Sequence, residues 1–191
     1  MNLKNVLSCA ILTAGLTMAA ATAPAAVITH EEVHIRYTWE EFFAAADGKE
    51  FLVQIRGNPF AMPQEAFEKT LLAKLQARSV GPRTTWTTTP GETPPGKAYR
   101  LVLVFGTGSQ LGSTLCEDLD SIKPPPTAVP GSVNVAAAYC RSYQPMTEAF
   151  ARTDASRPDD RAFENLVSQL MAVLFPRRPG LLLDRGGFWN D

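Results

Sequence analysis

A strand that ends in a fixed corner constrains this chain more than any other stretch of its sequence. Phe51, Val53 and Ile55 share one face of residues 51–56, which predicts a strand with one buried side. Gly57 tolerates a positive φ, and Pro59 fixes its own φ and pushes the residue before it away from helical geometry. The chain must therefore leave the strand and turn directly after residue 56.

A helix follows this corner at about residues 63–78. Pro63 suits a first helical turn, where its missing N–H costs nothing. Phe67, Leu71 and Leu75 recur at four-residue steps, and this apolar stripe predicts that the helix packs back on the sheet. The strand at about 50–57 and this helix form the unit around which we arrange the other elements.

The segment Thr29–Ala46 predicts a further helix, because apolar residues fall along it at helical intervals. Capping-box spacing occurs twice, from Thr29 and from Thr38, so this helix has two candidate starting points. A short strand over Val33–Tyr37 followed by a helix from Trp39 is the alternative.

The rest of the chain supplies strands and one long helix. Tyr99–Phe105 is continuously apolar at its centre, which predicts a central strand covered on both faces. Ser132–Tyr143 alternates and predicts another strand, and the β-branched run Thr84–Thr89 suits an edge strand. The clearest helix covers Asp159–Leu174, where six apolar residues form one stripe, and Pro176 ends it.

Together these elements predict an α+β fold, in which a mostly antiparallel sheet of about four strands carries helices on one face. Residues 26–176 are long enough to form a single domain with its own core. Residues 177–191 follow the last helix as a tail of weak intrinsic structure that is able to dock on the domain.

Residues 1–25 have the pattern of a secretory signal peptide. Lys4 supplies the positive charge, a mostly apolar run covers Val6–Ala21, and small residues permit cleavage after Ala21 or Ala25. Cys9 lies near the start of the apolar run, where it does not suit lipid attachment. No later stretch is long and apolar enough to span a bilayer. We therefore expect a soluble mature protein that is periplasmic or secreted.

Two cysteines remain once the leader is removed. In an oxidising compartment this even number predicts one disulfide, Cys116–Cys140. The bond would close a loop that contains Pro124-Pro125-Pro126 and would stabilise the fold by roughly 3 kcal/mol. The two cysteines do not have the CxxC spacing of a redox-active pair.

The sharpest candidate for chemistry is His30-Glu31-Glu32-Val33-His34, a formal match to the HExxH motif of zinc hydrolases. On a helix, His30 and His34 would bind the metal from one face, and Glu31 would polarise the bound water. The chain has only 2 histidines, so a carboxylate would have to complete the site. A zinc-dependent hydrolase is therefore the alternative function, and ordinary exposed side chains are the preferred interpretation.

Other motifs for catalysis or cofactor binding are weak. Residues 106–112 form a glycine-rich turn after a good strand, but they lead into a short segment and a proline run instead of the helix that a dinucleotide fingerprint needs. The sequence has no GxSxG nucleophile elbow. Its formal charge is -1, with scattered basic residues. We expect no cofactor and no nucleic-acid partner, and we favour a non-enzymatic role.

A recognition surface is the remaining candidate. Trp86 lies within a run of threonines, and Phe188 and Trp189 lie among glycines near the end of the sequence. Aromatic residues on predicted loops, together with a sheet edge, are able to support binding of a partner by strand addition.

The chain also resembles a group of known sequences. Arg56-Gly57-Asn58-Pro59-Phe60, the cysteine pair and the ending Leu174-Phe175-Pro176 resemble uncharacterised exported proteins of Gram-negative bacteria. The order of elements is distantly similar to small envelope lipoproteins of the outer-membrane assembly and transport-auxiliary types. The resemblance implies an address in the cell envelope. We therefore expect a non-catalytic binding or accessory module whose partner is another envelope protein.

Overall fold

A computed structural model describes residues 26–79, 81–91, 99–107, 114–123 and 129–177, and the structural statements below concern these residues. The strands are β1 (Val27–Val33), β2 (Glu50–Arg56), β3 (Thr85–Thr87), β4 (Tyr99–Phe105), β5 (Val133–Arg141) and β6 (Gln144–Thr153). The helices are α1 (Trp39–Ala46), α2 (Gln64–Arg78), α3 (Thr114–Glu117) and α4 (Arg161–Leu174), and a 3-10 turn covers Leu119–Ser121. The predicted leader, residues 1–25, and residues 178–191 of the predicted tail lie outside the described residues.

The six strands form one mixed sheet with the order β1-β6-β5-β4-β2-β3. The α+β class is confirmed, but the expectation of about four mostly antiparallel strands was too simple. Strand β2 runs parallel to both β3 and β4, whereas the other neighbouring strands are antiparallel. The β2–β3 pair is parallel because α2 carries the chain back along β2 before β3 begins.

The predicted strand–corner–helix unit is confirmed. Strand β2 ends at Arg56, Gly57 has a φ of 77°, and α2 begins directly after Pro63. The Asn58 side chain stabilises the corner: its Oδ1 accepts from the Phe60 N–H at 2.9 Å, and its Nδ2 donates to the Met62 carbonyl at 2.7 Å. The corner therefore holds its shape through local hydrogen bonds.

The predicted helix over Thr29–Ala46 is wrong in its first half. Residues 27–33 form β1, which pairs antiparallel with β6. The helix begins at Trp39, as the alternative proposed, and Thr38 is its N-cap: the Glu41 N–H donates to Thr38 Oγ1 at 3.2 Å. Pairing with a neighbouring strand thus overrides the helical spacing before residue 34.

The three longer helices cover one face of the sheet. The apolar stripes predicted for α2 and α4 are buried there. An aromatic cluster joins α1 to the sheet and to the end of α4: the Phe42 ring stacks on Phe175 with centroids 4.2 Å apart and meets Tyr139 edge-on at 5.6 Å. This face therefore holds the larger core of the domain.

The opposite face has a smaller apolar cluster, which corrects the expectation that helices cover one face only. Val102 and Val104 of β4 are buried there against Leu115 of α3. The predicted disulfide is confirmed: Cys116 of α3 is bonded to Cys140 of β5, with Cα atoms 5.6 Å apart. The bond ties the short helix to the strand that it covers.

A polar network links α1 to the two central strands. Glu41 of α1 accepts a hydrogen bond from the Tyr99 hydroxyl at 2.7 Å and one from Arg141 at 2.9 Å. Partial burial raises the pKa of the Glu41 carboxyl, but the hydrogen bonds from Tyr99 and Arg141 outweigh it and hold this pKa below its usual value of 4.5. The ionised carboxylate therefore stabilises the fold.

We expect Glu41→Gln to lower the free energy of unfolding at neutral pH by about 1 kcal/mol, because charged hydrogen bonds are lost from a partly exposed site. Since folding lowers the pKa of Glu41, its contribution is complete above pH 4.5 and disappears as the pH falls through the folded-state pKa. Urea unfolding at neutral and acidic pH measures both effects. Glu40→Gln, at an exposed neighbour, is the control; an equal loss in the control, or a Glu41→Gln loss that persists in acid, would contradict this account.

Candidate functional site

A cavity opens between the end of α2 and the C-terminal half of α4. Its volume is about 280 Å³, and Phe42 of α1 and Trp86 of β3 contribute to its lining. Ser168, Met171 and Ala172 line it from α4, followed by Phe175 just after the helix. The lining is therefore assembled from segments that are far apart in the sequence and meet only in the folded domain.

Helical periodicity explains how α4 supplies one wall. Ser168, Met171, Ala172 and Phe175 are spaced at i, i+3, i+4 and i+7, so they lie along one side of the helix. Met171 and Phe175 are large and buried, whereas Ser168 and Ala172 are small. The small side chains leave space that larger ones at these positions would fill.

The aromatic part of the wall is held by ring contacts. Phe175 lies 5.7 Å from Trp86 between ring centroids, and Trp86 lies 5.1 Å from Phe51 of β2. Trp86 is only 4% exposed. Its backbone N–H donates to the side-chain oxygen of Gln76 on α2 at 3.3 Å, which fixes β3 against this helix. The wall is thus largely formed before any ligand arrives.

Within the described part of the chain, the indole N–H of Trp86 is buried and has no hydrogen-bond partner. Buried tryptophan N–H groups usually find an acceptor, and leaving such a donor unpaired costs about 1–3 kcal/mol. Because this N–H has almost no accessible surface, Trp86 contributes its ring, and not this donor, to the cavity lining.

Two arginines carry the charge of the lining. Arg78 ends α2, and its Nη2 lies 3.6 Å from Glu164, a carboxylate that also pairs with Lys74 at 2.9 Å. Arg177 follows the end of α4, and its guanidinium carbon lies 5.2 Å from the centroid of the Trp39 ring. The described lining contains these two cations and no acidic side chain. It is therefore suited to an apolar group that carries a negative charge.

The HExxH residues do not adopt the arrangement that a zinc hydrolase needs. His30 and Glu31 are neighbours on strand β1, so their side chains point to opposite faces of the sheet. His34 lies beyond the strand, where its Nδ1 accepts from the Arg36 N–H at 3.1 Å and its Nε2 lies 2.9 Å from the Gln144 amide. Within the described ranges, no three His, Cys, Asp or Glu side chains are placed to hold a metal ion.

Of the predicted recognition residues, the structure describes Trp86 alone. Trp86 was expected to lie on a partner surface, but the structure buries it because its ring packs on Phe51 and Phe175. Phe188, Trp189 and the triple-proline segment lie outside the described residues. Of the glycine-rich turn, only Gly106 and Thr107 are described.

Comparison with known proteins gives no relative. No family model matches this chain. Neither a curated protein nor a solved structure shows significant similarity to it. In the part of the chain that the structure describes, no helix is both long enough and apolar enough to cross a bilayer.

Proposed function

We propose that this chain is an exported, non-catalytic binding or accessory module of the cell envelope, and that the cavity between α2 and α4 holds the apolar part of its ligand. One observation carries the proposal: a cavity with aromatic walls and two arginines in its lining. Concave apolar sites with a few polar groups are the usual form of small-ligand sites.

The size of the cavity limits the ligand. Ligand sites commonly enclose about 300–1,000 Å³, and an apolar cavity of about 150 Å³ holds a benzene molecule. The cavity here measures about 280 Å³, just below that range and larger than the benzene-sized cavity. It therefore suits an apolar group of roughly ten to twelve non-hydrogen atoms.

Export is supported by two features. Residues 1–25 carry the composition of a secretory leader. The Cys116–Cys140 disulfide joins the two cysteines that follow this leader, and such bonds persist in oxidising compartments. Because the disulfide ties α3 to the central strand β5, we expect the fold to depend on that environment for part of its stability.

The binding proposal predicts that filling the cavity weakens binding while the protein still folds. Ser168→Leu places a larger apolar side chain in the lining, where it occupies volume that the ligand needs, so we expect affinity to fall about ten-fold or more, equivalent to about 1.4 kcal/mol or more. Titration with 1-aminonaphthalene, a neutral fluorescent two-ring probe within this size limit, measures the change. Gln169→Leu, on the same helix and outside the lining, is the matched control.

Thermal unfolding of both variants shows whether the fold survives. Equal probe affinity in wild type, Ser168→Leu and Gln169→Leu, with all three proteins folded, would mean that the cavity is not the binding site.

The export proposal predicts a processed and oxidised protein. When the full chain is expressed in a Gram-negative host, intact mass spectrometry of the envelope extract should find cleavage after Ala21 or Ala25 and no free thiol. A chain produced in the reducing cytoplasm without residues 1–25 is the comparison, and it should show two thiols. Retention of the leader, or two free thiols in the extract, would refute export.

A further inference from the structure

We propose that the ligand of the cavity is an amphipathic anion, an alkyl carboxylate whose chain enters the cavity and whose head group is bound by Arg78 and Arg177. This inference rests on the proposed function, because it names the chemical class of a ligand that the cavity must first be shown to bind. Guanidinium groups suit carboxylates, since a planar fork of N–H donors matches the two oxygens.

The charge balance around Arg78 favours an incoming anion. Glu164 is the acid closest to it, but this carboxylate lies nearer to Lys74, at 2.9 Å against 3.6 Å for Arg78. Glu164 is thus shared between Lys74 and Arg78, and its single negative charge balances only one of their two positive charges. The Arg78 side chain is 45% exposed, so it is accessible from the mouth of the cavity.

Arg177 supplies the second positive charge in a different way. It is held beside Trp39 by a cation–π contact at 5.2 Å, and within the described residues no carboxylate forms an ion pair with it. Because Phe175 is buried and Pro176 follows it, the chain leaves α4 directly at the cavity. Arg177 is therefore placed in the lining by the end of the helix.

The apolar portion of the ligand has a continuous surface to contact. Trp86, Met171 and Phe175 are all less than 9% exposed, and they form the wall behind the two arginines. Ser79 and Ser168 add hydroxyl groups to the lining. The apolar wall, the hydroxyl groups and the guanidinium groups of the lining together match a molecule that is apolar at one end and anionic at the other.

A segment of the chain itself has the same chemistry as the proposed ligand, and experiment distinguishes the two. Leu181-Leu182-Leu183-Asp184 is an apolar stretch followed by an acid, and it begins four residues after Arg177. Four residues of extended chain span at most about 14 Å, so the chain length alone allows this segment to reach the cavity. It lies outside the described residues, and it is the occupant that competes with an external ligand.

The test compares ligands that share one chain and differ in their head group. The assay measures how well decanoate, decanol and decyltrimethylammonium each displace the neutral probe from the full-length mature protein at low salt. We expect decanoate to bind about ten-fold more tightly than decanol, and the ammonium to bind more weakly than both. In Arg78→Gln/Arg177→Gln the ratio between decanoate and decanol should fall towards one.

Lys69→Gln is the control for the loss of a positive charge. Lys69 is exposed on α2, lies outside the cavity lining and forms no ion pair among the described residues, so this variant should keep the preference for decanoate. Equal affinities for decanoate and decanol in the wild type would overturn the ligand class and leave the cavity as a binding site. Failure of all three compounds to displace the probe, with no effect of Ser168→Leu, would refute the proposed function itself.

The remaining variant addresses the competing segment. Leu182→Ser removes one apolar side chain from residues 181–184 and leaves the arginines in place. If it increases probe binding while decanoate shows no advantage over decanol, the occupant of the cavity is the chain's own tail, and the proposal of an anionic ligand is wrong. A decanoate preference retained in Leu182→Ser supports the proposal.

Discussion

Burial of the central strands on both faces is the constraint on which the rest of this structure depends. Leu101 and Val102 are adjacent on β4, face opposite sides of the sheet, and are both fully buried. A sheet of this kind cannot leave either side to water, because each exposed apolar residue would forfeit about 1.5–3 kcal/mol. Long helices cover one face of the sheet. The four-residue helix α3, held by the Cys116–Cys140 bond, covers part of the other face.

The candidate site results from the way α4 packs against the sheet and against α2. Phe42, Tyr139 and Phe175 pack together and hold the end of α4 on the sheet. Beside this cluster, Ser168 and Ala172 are too small to fill the space between α4 and α2. The same helix therefore completes the core with its large residues and leaves the cavity open with its small ones.

The sequence alone was sufficient to predict those elements whose pattern lies within a single segment. The corner after β2, strand β4, helix α4 and the disulfide were all predicted, because alternation, helical stripes and cysteine number are visible in a single segment. Strand β6 has alanines at buried positions 149 and 151, so its alternation is weak, and β1 was hidden by helical spacing. The cavity was not predictable, since Phe42, Arg78 and Arg177 meet only through tertiary packing. Its one local sign was the pair of small residues, Ser168 and Ala172, beside the apolar stripe of α4.

A crystal structure of the mature protein soaked with decanoate tests the central claim most directly. The account predicts electron density for the alkyl chain against Trp86 and Phe175, with the carboxylate within hydrogen-bond distance of Arg78 or Arg177. Density for decanoate only elsewhere on the molecule, or a cavity filled by residues 181–183 at saturating decanoate, would contradict it.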